Sequence, residues 1–341
     1  MNPLPSTATA DPEAATGEPA LAVENLTVDL HTPTGTVRAV DEVSFAVHKG
    51  RTLALLGESG CGKSMTALSI VGLLDPVAEV VGGSVRAGGK DVLTLSRPAR
   101  KKLAGPVLSI VFQDALTALN PVQPVGRQLG EPFRIHHGLS RRQAKEKAIE
   151  LMRIVGIPEP RARARSYPHQ FSGGMRQRLL IAMAVALAPD VLLADEPTTA
   201  LDVTVQAQIM QLLRDLQVER DMAVVLITHD LAVVAERADD VVVMYAGNVV
   251  ETGPVREVFG NPRHPYTRGL LDSVPERAEK GSPLPAVAGS PPELSKIPPG
   301  CVFQARCPLA RERCAEERPA LTATGSGRAA ACHFSEELAS V

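Results

Sequence analysis

Eight consecutive residues, Gly57-Glu-Ser-Gly-Cys-Gly-Lys-Ser64, carry the pattern G-x-x-x-x-G-K-S. Glycines in such a loop let backbone N–H groups turn inward around an anion, and a helix starting at its end adds a positive dipole terminus. Lys63 then reaches the β- and γ-phosphates of a nucleotide, and the Ser64 hydroxyl binds Mg²⁺. Gly57, Glu58, Ser59, Gly60, Cys61 and Gly62 complete the phosphate cradle. A second segment, Val191-Leu-Leu-Ala-Asp195-Glu196, is an apolar run ending in two carboxylates. Asp195 at a strand tip suits a Mg²⁺ site held through water, and Glu196 can polarise an attacking water as general base. The Cys61 thiol has two readings: only its backbone matters, or its place at a helix N-terminus makes it reactive enough for alkylation to block nucleotide binding.

These groups need elements to position them. Thr52–Leu56, Val191–Ala194, Val224–Thr228 and Val241–Met244 are short apolar runs of the buried-strand type. A helical stretch runs from Ser64 to Leu74. Another, Ser140–Val155, opens with Ser140 and Gln143 spaced as a capping box and places Ala144, Ala148, Leu151 and Val155 on one face. Strands alternating with helices predict an α/β fold with a largely parallel sheet covered on both sides. Periodic structure begins near Leu21 and continues to about Phe259. Residues 254–299 hold ten prolines, which predicts a linker.

Composition narrows the partners. The chain has 341 residues, 44% of them hydrophobic, which excludes wholesale disorder. A formal net charge of −2 supplies no basic field for nucleic acid, and 3% aromatics without Trp leave few stacking surfaces for single strands. Residues 1–20 carry three acids, no bases and no apolar core, so they read as a disordered tail and not as a signal peptide. The run Leu179–Ala194 is broken by Pro189 and Asp190, short of the ~20 residues that span a bilayer. A cytoplasmic location is expected, with any membrane role exercised through partners.

Between the two phosphate-chemistry segments lies Phe171-Ser-Gly-Gly-Met-Arg-Gln-Arg178, and beyond them come Thr199-Ala-Leu-Asp202 and Leu226-Ile-Thr-His-Asp230. In that order, over about residues 21–260, these motifs resemble the ATP-binding subunit of an ABC transporter. The resemblance implies a P-loop NTPase core with a helical subdomain, and assigns further roles. Gln113, in Val111-Phe-Gln-Asp114, would be a Mg²⁺ and water contact at the hinge to the helical subdomain. Ser172, Gly173 and Gly174 would bind the γ-phosphate held by a partner subunit. Leu201 and Asp202 would cross the dimer interface. His229 would contact the γ-phosphate and orient the water with Glu196. Two positions depart from the family. Leu30 and His31 stand where an aromatic residue stacks adenine, and Ala115 stands where proline is common.

Leu119-Asn-Pro121, Tyr167-Pro-His-Gln-Phe171, Ala200–Gln208, Met244-Tyr-Ala-Gly247 and His264-Pro-Tyr-Thr267 are similar to the oligopeptide/dipeptide importer branch, in its D-type subunit. That branch implies a second, different ATPase subunit, two membrane permease subunits and an extracytoplasmic peptide-binding protein, with this chain on the cytoplasmic face of the membrane. Nickel and glutathione importers share the branch. A soluble ABC ATPase of translation or DNA repair is the alternative from another class. Such proteins usually carry two cassettes or a coiled-coil insertion, and this chain has neither.

Residues 261–341 form the expected C-terminal extension, irregular and cysteine-containing. Cys301, Cys307, Cys314 and Cys332 follow one another there with five, six and seventeen residues between them. Four thiolates can ligate zinc or hold a [4Fe–4S] cluster, and the spacing is wider than that of zinc knuckles. His333 is a substitute ligand, and absence of any metal is a third reading. The resemblance implies the [4Fe–4S] cluster.

Overall fold

The computed structural model describes residues 17–199, 201–273, 287–325 and 327–340. Most of the predicted N-terminal tail, residues 1–16, lies outside the described residues.

Among the described residues, twelve strands build two sheets. The first is antiparallel, ordered β2-β1-β4-β5, from β1 (Leu21–Thr32), β2 (Gly35–Val47), β4 (Ala78–Ala87) and β5 (Lys90–Asp91). The second has eight strands. Its parallel part is β9-β3-β8-β7-β6, from β9 (Asp240–Tyr245), β3 (Thr52–Leu56), β8 (Ala223–Thr228), β7 (Val191–Asp195) and β6 (Leu108–Val111). The antiparallel strands β10 (Asn248–Pro254), β12 (Arg328–Ala330) and β11 (Thr322–Gly325) extend it beyond β9.

Every residue of β3, β7 and β8 is buried, because both faces of these strands are covered. Leu53 and Leu55 of β3 face the first sheet and the helix Lys63–Val71, while Ala54 and Leu56 face the C-terminal residues. Leu192 and Ala194 of β7 face the helices Gly173–Ala184 and Val203–Arg220. Continuous apolar runs without polar alternation are what such strands require. The four predicted strands are present within a residue of their expected ends.

The helical subdomain contains Val125–His137 and Arg141–Ile154. Gly130 allows the close approach of these two, since a Cβ there would meet the Ala144 carbonyl at 3.0 Å. The predicted capping box is formed. Ser140 Oγ accepts from the Gln143 N–H, and Gln143 Oε1 accepts from the Ser140 N–H at 3.0 Å. Such a cap stabilises a helix by about 1 kcal/mol. The helix after the phosphate loop ends earlier than expected, at Val71, because Gly72 adopts a left-handed conformation (φ 70°) and caps it.

The proline-rich region differs from the linker expected of it. Helices Val255–Gly260 and Pro265–Asp272 occupy its first part, and residues 274–286 lie outside the described residues. The extension does not stand apart either. It supplies β11 and β12 to the main sheet, with Glu251 of β10 opposite Ala330 of β12. Its apolar side chains share a core with the cassette, in which Tyr245, Tyr266 and Phe303 meet with ring centroids 4.7–5.4 Å apart. Each aromatic pair of this kind contributes ~0.5–1.5 kcal/mol beyond area burial. An extension too small for a core of its own borrows one.

Candidate functional site

The five parallel strands point the same way, so the loops that follow them gather along one edge of the sheet, where ligands collect in open α/β folds. The phosphate loop follows β3, Gln113 lies two residues beyond β6, Asp195 ends β7, and His229 follows β8.

Gly62 is the N-cap of the helix Lys63–Val71 at φ 103°, and no side chain caps that helix. Its first N–H groups therefore face the loop interior, available to an anion. Lys63 is buried, and its Nζ donates to the carbonyls of Gly57 (2.8 Å) and Glu58 (2.9 Å). Ser64 Oγ donates to Asp195 Oδ1 at 3.0 Å, joining the two expected Mg²⁺ positions across 131 residues of sequence. Burial raises the Asp195 carboxyl above the ordinary carboxylate range against the opposing hydrogen bond from Ser64. A divalent cation beside it would restore the charged form.

The group expected to activate water is equally well defined. Glu196 Oε2 accepts from Gln113 Nε2 and from Thr199 Oγ1, each at 2.8 Å, and His229 Nδ1 lies 3.1 Å from Glu196 Oε1. Burial by itself would raise this carboxyl. The hydrogen bonds from Thr199 and His229 outweigh it and hold Glu196 below the ordinary range. Glu196 also has a left-handed backbone (φ 43°), a conformation that costs a non-glycine residue ~1–3 kcal/mol and recurs at functional positions. Thr199 had no chemical role in the sequence reading. Its motif was visible, but its hold on Glu196 depends on a turn in which the Thr199 N–H bonds back to the Glu196 carbonyl.

Ser172, Gly173 and Gly174 sit on a different surface from the phosphate-loop group. Ser172 is exposed and caps the helix Gly173–Ala184 by accepting from the Met175 N–H. Gly174 packs so closely on the following helix that a Cβ would meet Val205 at 2.7 Å. Asp202 caps that helix, Val203–Arg220, by accepting from the Val205 N–H at 3.0 Å. The two segments thus pack together, with Ser172, Gly173 and Asp202 exposed.

Two sequence expectations are refined here. Cys61 is 4% exposed, and burial raises its thiol pKa despite the nearby Lys63 ammonium. Burial thus favours the reading in which only the Cys61 backbone matters. His31 lies exposed across the β1–β2 hairpin from Thr36, its ring held by Thr36 Oγ1 (3.2 Å) and Glu79 Oε2 (3.1 Å).

Comparison with known proteins agrees with this geometry. Residues 40–199 match the ABC transporter family, and residues 250–314 match the family described as oligopeptide/dipeptide transporter, C-terminal region. The dipeptide transport ATP-binding protein DppD of Bacillus subtilis is 48% identical over 323 residues, covering 94% of this chain and 96% of that protein. This chain belongs to the ABC transporter ATPases. DppD of Escherichia coli is 46% identical over 314 residues, covering 92% and 96% of the two chains. Among solved structures, a dimeric ATP-binding cassette in a post-hydrolysis state bound to ADP and Pi superposes with a TM-score of 0.62 at 27% identity, covering 69% of this chain and 99% of that one. The ATPase accordingly has the cassette fold, uses ATP and Mg²⁺, and acts with membrane permease partners in a transporter complex. No helix among its described residues is long and apolar enough to cross a membrane.

The four C-terminal cysteines of the ATPase converge. Cys301, Cys307, Cys314 and Cys332 line one largely enclosed cavity with His264, Phe303 and His333 in its wall. Burial pushes the Cys307 thiol up to about 11 and also raises Cys301 and Cys332. Among the described residues no group of three or more His, Cys, Asp or Glu is arranged to hold a metal ion. Gly300 sets the spacing of two thiols, because the Cys301 N–H donates to the Cys314 carbonyl at 2.7 Å. A Cβ on Gly300 would lie 2.3 Å from that same oxygen and 2.5 Å from the Ala315 carbonyl. Gly300→Ala is expected to part the two segments, destabilise the protein by ~1–3 kcal/mol and speed modification of the cavity thiols by a disulfide reagent. Thermal unfolding and thiol titration check this.

Proposed function

We propose that this ATPase energises import of di- and oligopeptides from the cytoplasmic face of the membrane. It pairs there with a second, different ATPase subunit, beneath two permease subunits served by an extracytoplasmic peptide-binding protein. The observation that carries the catalytic reading is the convergence of Ser64 with Asp195, and of Gln113, Thr199 and His229 with Glu196, on one sheet edge. The cargo reading is supported by the C-terminal match and by relatives named for dipeptide transport.

ATP is held between the Gly57–Ser64 loop of one subunit and the Ser172–Gly174 helix terminus of the other. Lys63 leaves its loop carbonyls for the β- and γ-phosphates, while Ser64 and Asp195 hold Mg²⁺. Glu196, ionised at neutral pH, takes the proton of the attacking water, and His229 orients that water against the γ-phosphate. Gln113 bonds Glu196 and begins the segment leading to the helical subdomain, so loss of the γ-phosphate is felt at the hinge. Reconstitution with its permeases tests the cargo: peptides should stimulate hydrolysis, and stimulation by Ni²⁺ or glutathione alone would overturn the peptide reading.

The four cysteines are proposed to hold a [4Fe–4S] cluster. The support is their common cavity and wide spacing. Bound there, it would cross-link the chain segments that carry the four thiols. Iron and acid-labile sulfide should be found after anaerobic purification, and one zinc without iron would overturn the assignment.

A further inference from the structure

Among the described residues, two side chains of the extension hydrogen-bond the phosphate loop, both at Glu58, one at its carboxylate and one at its backbone N–H. Arg306 donates from Nη1 to Glu58 Oε2 (2.7 Å) and from Nη2 to Glu58 Oε1 (3.0 Å), a two-bond fork that matches guanidinium to carboxylate. Tyr266 accepts from the Glu58 backbone N–H through its hydroxyl at 2.9 Å. The remaining polar group of Glu58, its carbonyl, accepts from Lys63 Nζ.

The Arg306 side chain is 5% exposed and has no freedom left. Its Nε donates to the Ala288 carbonyl at 2.7 Å, its Nη2 also to the Val287 carbonyl at 3.1 Å, and its Nη1 to the Tyr245 hydroxyl at 3.3 Å. The guanidinium lies over the rings of Tyr245 and Phe303. The stretch of chain that lines the four-cysteine cavity, between Cys301 and Cys307, therefore also carries a rigid cationic clamp on the nucleotide site. A structural anchor for the extension would need only the apolar contacts already present around Phe303. An Arg fork inserted onto the second residue of the phosphate loop does something further, since Glu58 is also where the catalytic lysine rests.

We propose that Arg306 is a positioning residue of the ATP site, holding Glu58 so that its carbonyl keeps the phosphate loop and Lys63 in the geometry that receives MgATP. The C-terminal extension thereby completes the nucleotide site. This rests on the ATP site itself and not on the identity of the cargo. Once MgATP is bound Lys63 has left the Glu58 carbonyl, and the groups proposed to activate water sit on other loops, so Arg306 acts on nucleotide binding.

The test uses the full chain and a fluorescent MgATP analogue, with steady-state hydrolysis in parallel. Arg306→Ala should weaken binding about tenfold and raise KM to match, with kcat within twofold of wild type. Arg306→Lys keeps the charge and loses the fork, so its affinity should fall between the two. Glu58→Gln removes the charge with little change of shape and should weaken binding to a similar degree. The double variant Arg306→Ala/Glu58→Gln should be no weaker than the worse single variant, since both remove one interaction. Unchanged affinity in Glu58→Gln overturns the proposal even if Arg306→Ala fails to fold. So does a fall in kcat at unchanged KM, or full additivity in the double variant. Absence of MgATP binding by wild-type protein would instead count against the ATP site as a whole.

Discussion

Glu196→Gln is expected to lower kcat for ATP hydrolysis by at least ~10²-fold while MgATP affinity stays within about twofold. The amide keeps the size of the carboxylate and can still accept from Thr199 Oγ1, so the left-handed turn at Glu196 and the approach of Gln113 should survive. What is lost is the base. Hydrogen bonds from Thr199 and His229 keep Glu196 ionised through neutral and mildly acidic pH despite its burial, and no other carboxylate hydrogen-bonds both Gln113 and His229 among the described residues. Asp195 does not substitute, because it is bonded to Ser64 on the Mg²⁺ side and its own carboxyl is shifted the other way. Phosphate release measured beside nucleotide titration separates the two effects. A variant that keeps more than a third of wild-type kcat would remove Glu196 from the base role.

Gly62→Ala should weaken MgATP binding by about 100-fold, which corresponds to ~2.7 kcal/mol. Gly62 adopts φ 103°, a backbone region that costs other residues ~1–3 kcal/mol, and a Cβ there would lie 2.7 Å from the Ala39 carbonyl. The oxygen belongs to backbone in the middle of β2 and cannot swing aside. In the free variant the loop can relax away from the contact. In the bound state it must return, because the N–H groups around the phosphates are fixed relative to the helix Lys63–Val71. The strain is therefore felt in binding more than in folding. Circular dichroism should show an intact fold. Affinity within threefold of wild type would show that the loop reaches the phosphates by another path.

Much of this site is legible in the chain because its parts are local. A phosphate loop is a backbone conformation within eight residues, and glycines at Gly57, Gly60 and Gly62 mark where positive φ is needed. The strands before each loop are plain in the sequence because strands covered on both faces must be apolar throughout. The capping box at Ser140 and Gln143 is likewise a contact three residues long. The chain says less where the outcome depends on what packs outside the segment. The chain alone left two readings of Cys61, and burial by neighbouring elements favours the one in which only its backbone matters. The ten prolines of residues 254–299 suggested a linker, yet Pro254 and Pro265 stand at helix starts, where a missing N–H costs nothing.

By itself the sequence named the candidates: the residues proposed to cradle phosphate, bind Mg²⁺ and activate water, and the cassette fold that carries them. The tertiary structure decided which of them meet. Ser64 bonds Asp195 across 131 positions, Gln113 bonds Glu196 across 83, and Arg306 bonds Glu58 across 248. Contacts at such separations are set by closure of long chain segments onto a shared core, and nothing in the flanking residues encodes the partner. The cysteines show the same division. Their number and spacing announce a ligand set, but their convergence on one cavity follows from β12 adding to β10 and from Phe303 packing on Tyr245 and Tyr266. Local backbone preference writes motifs into the chain, and long-range packing turns them into one site.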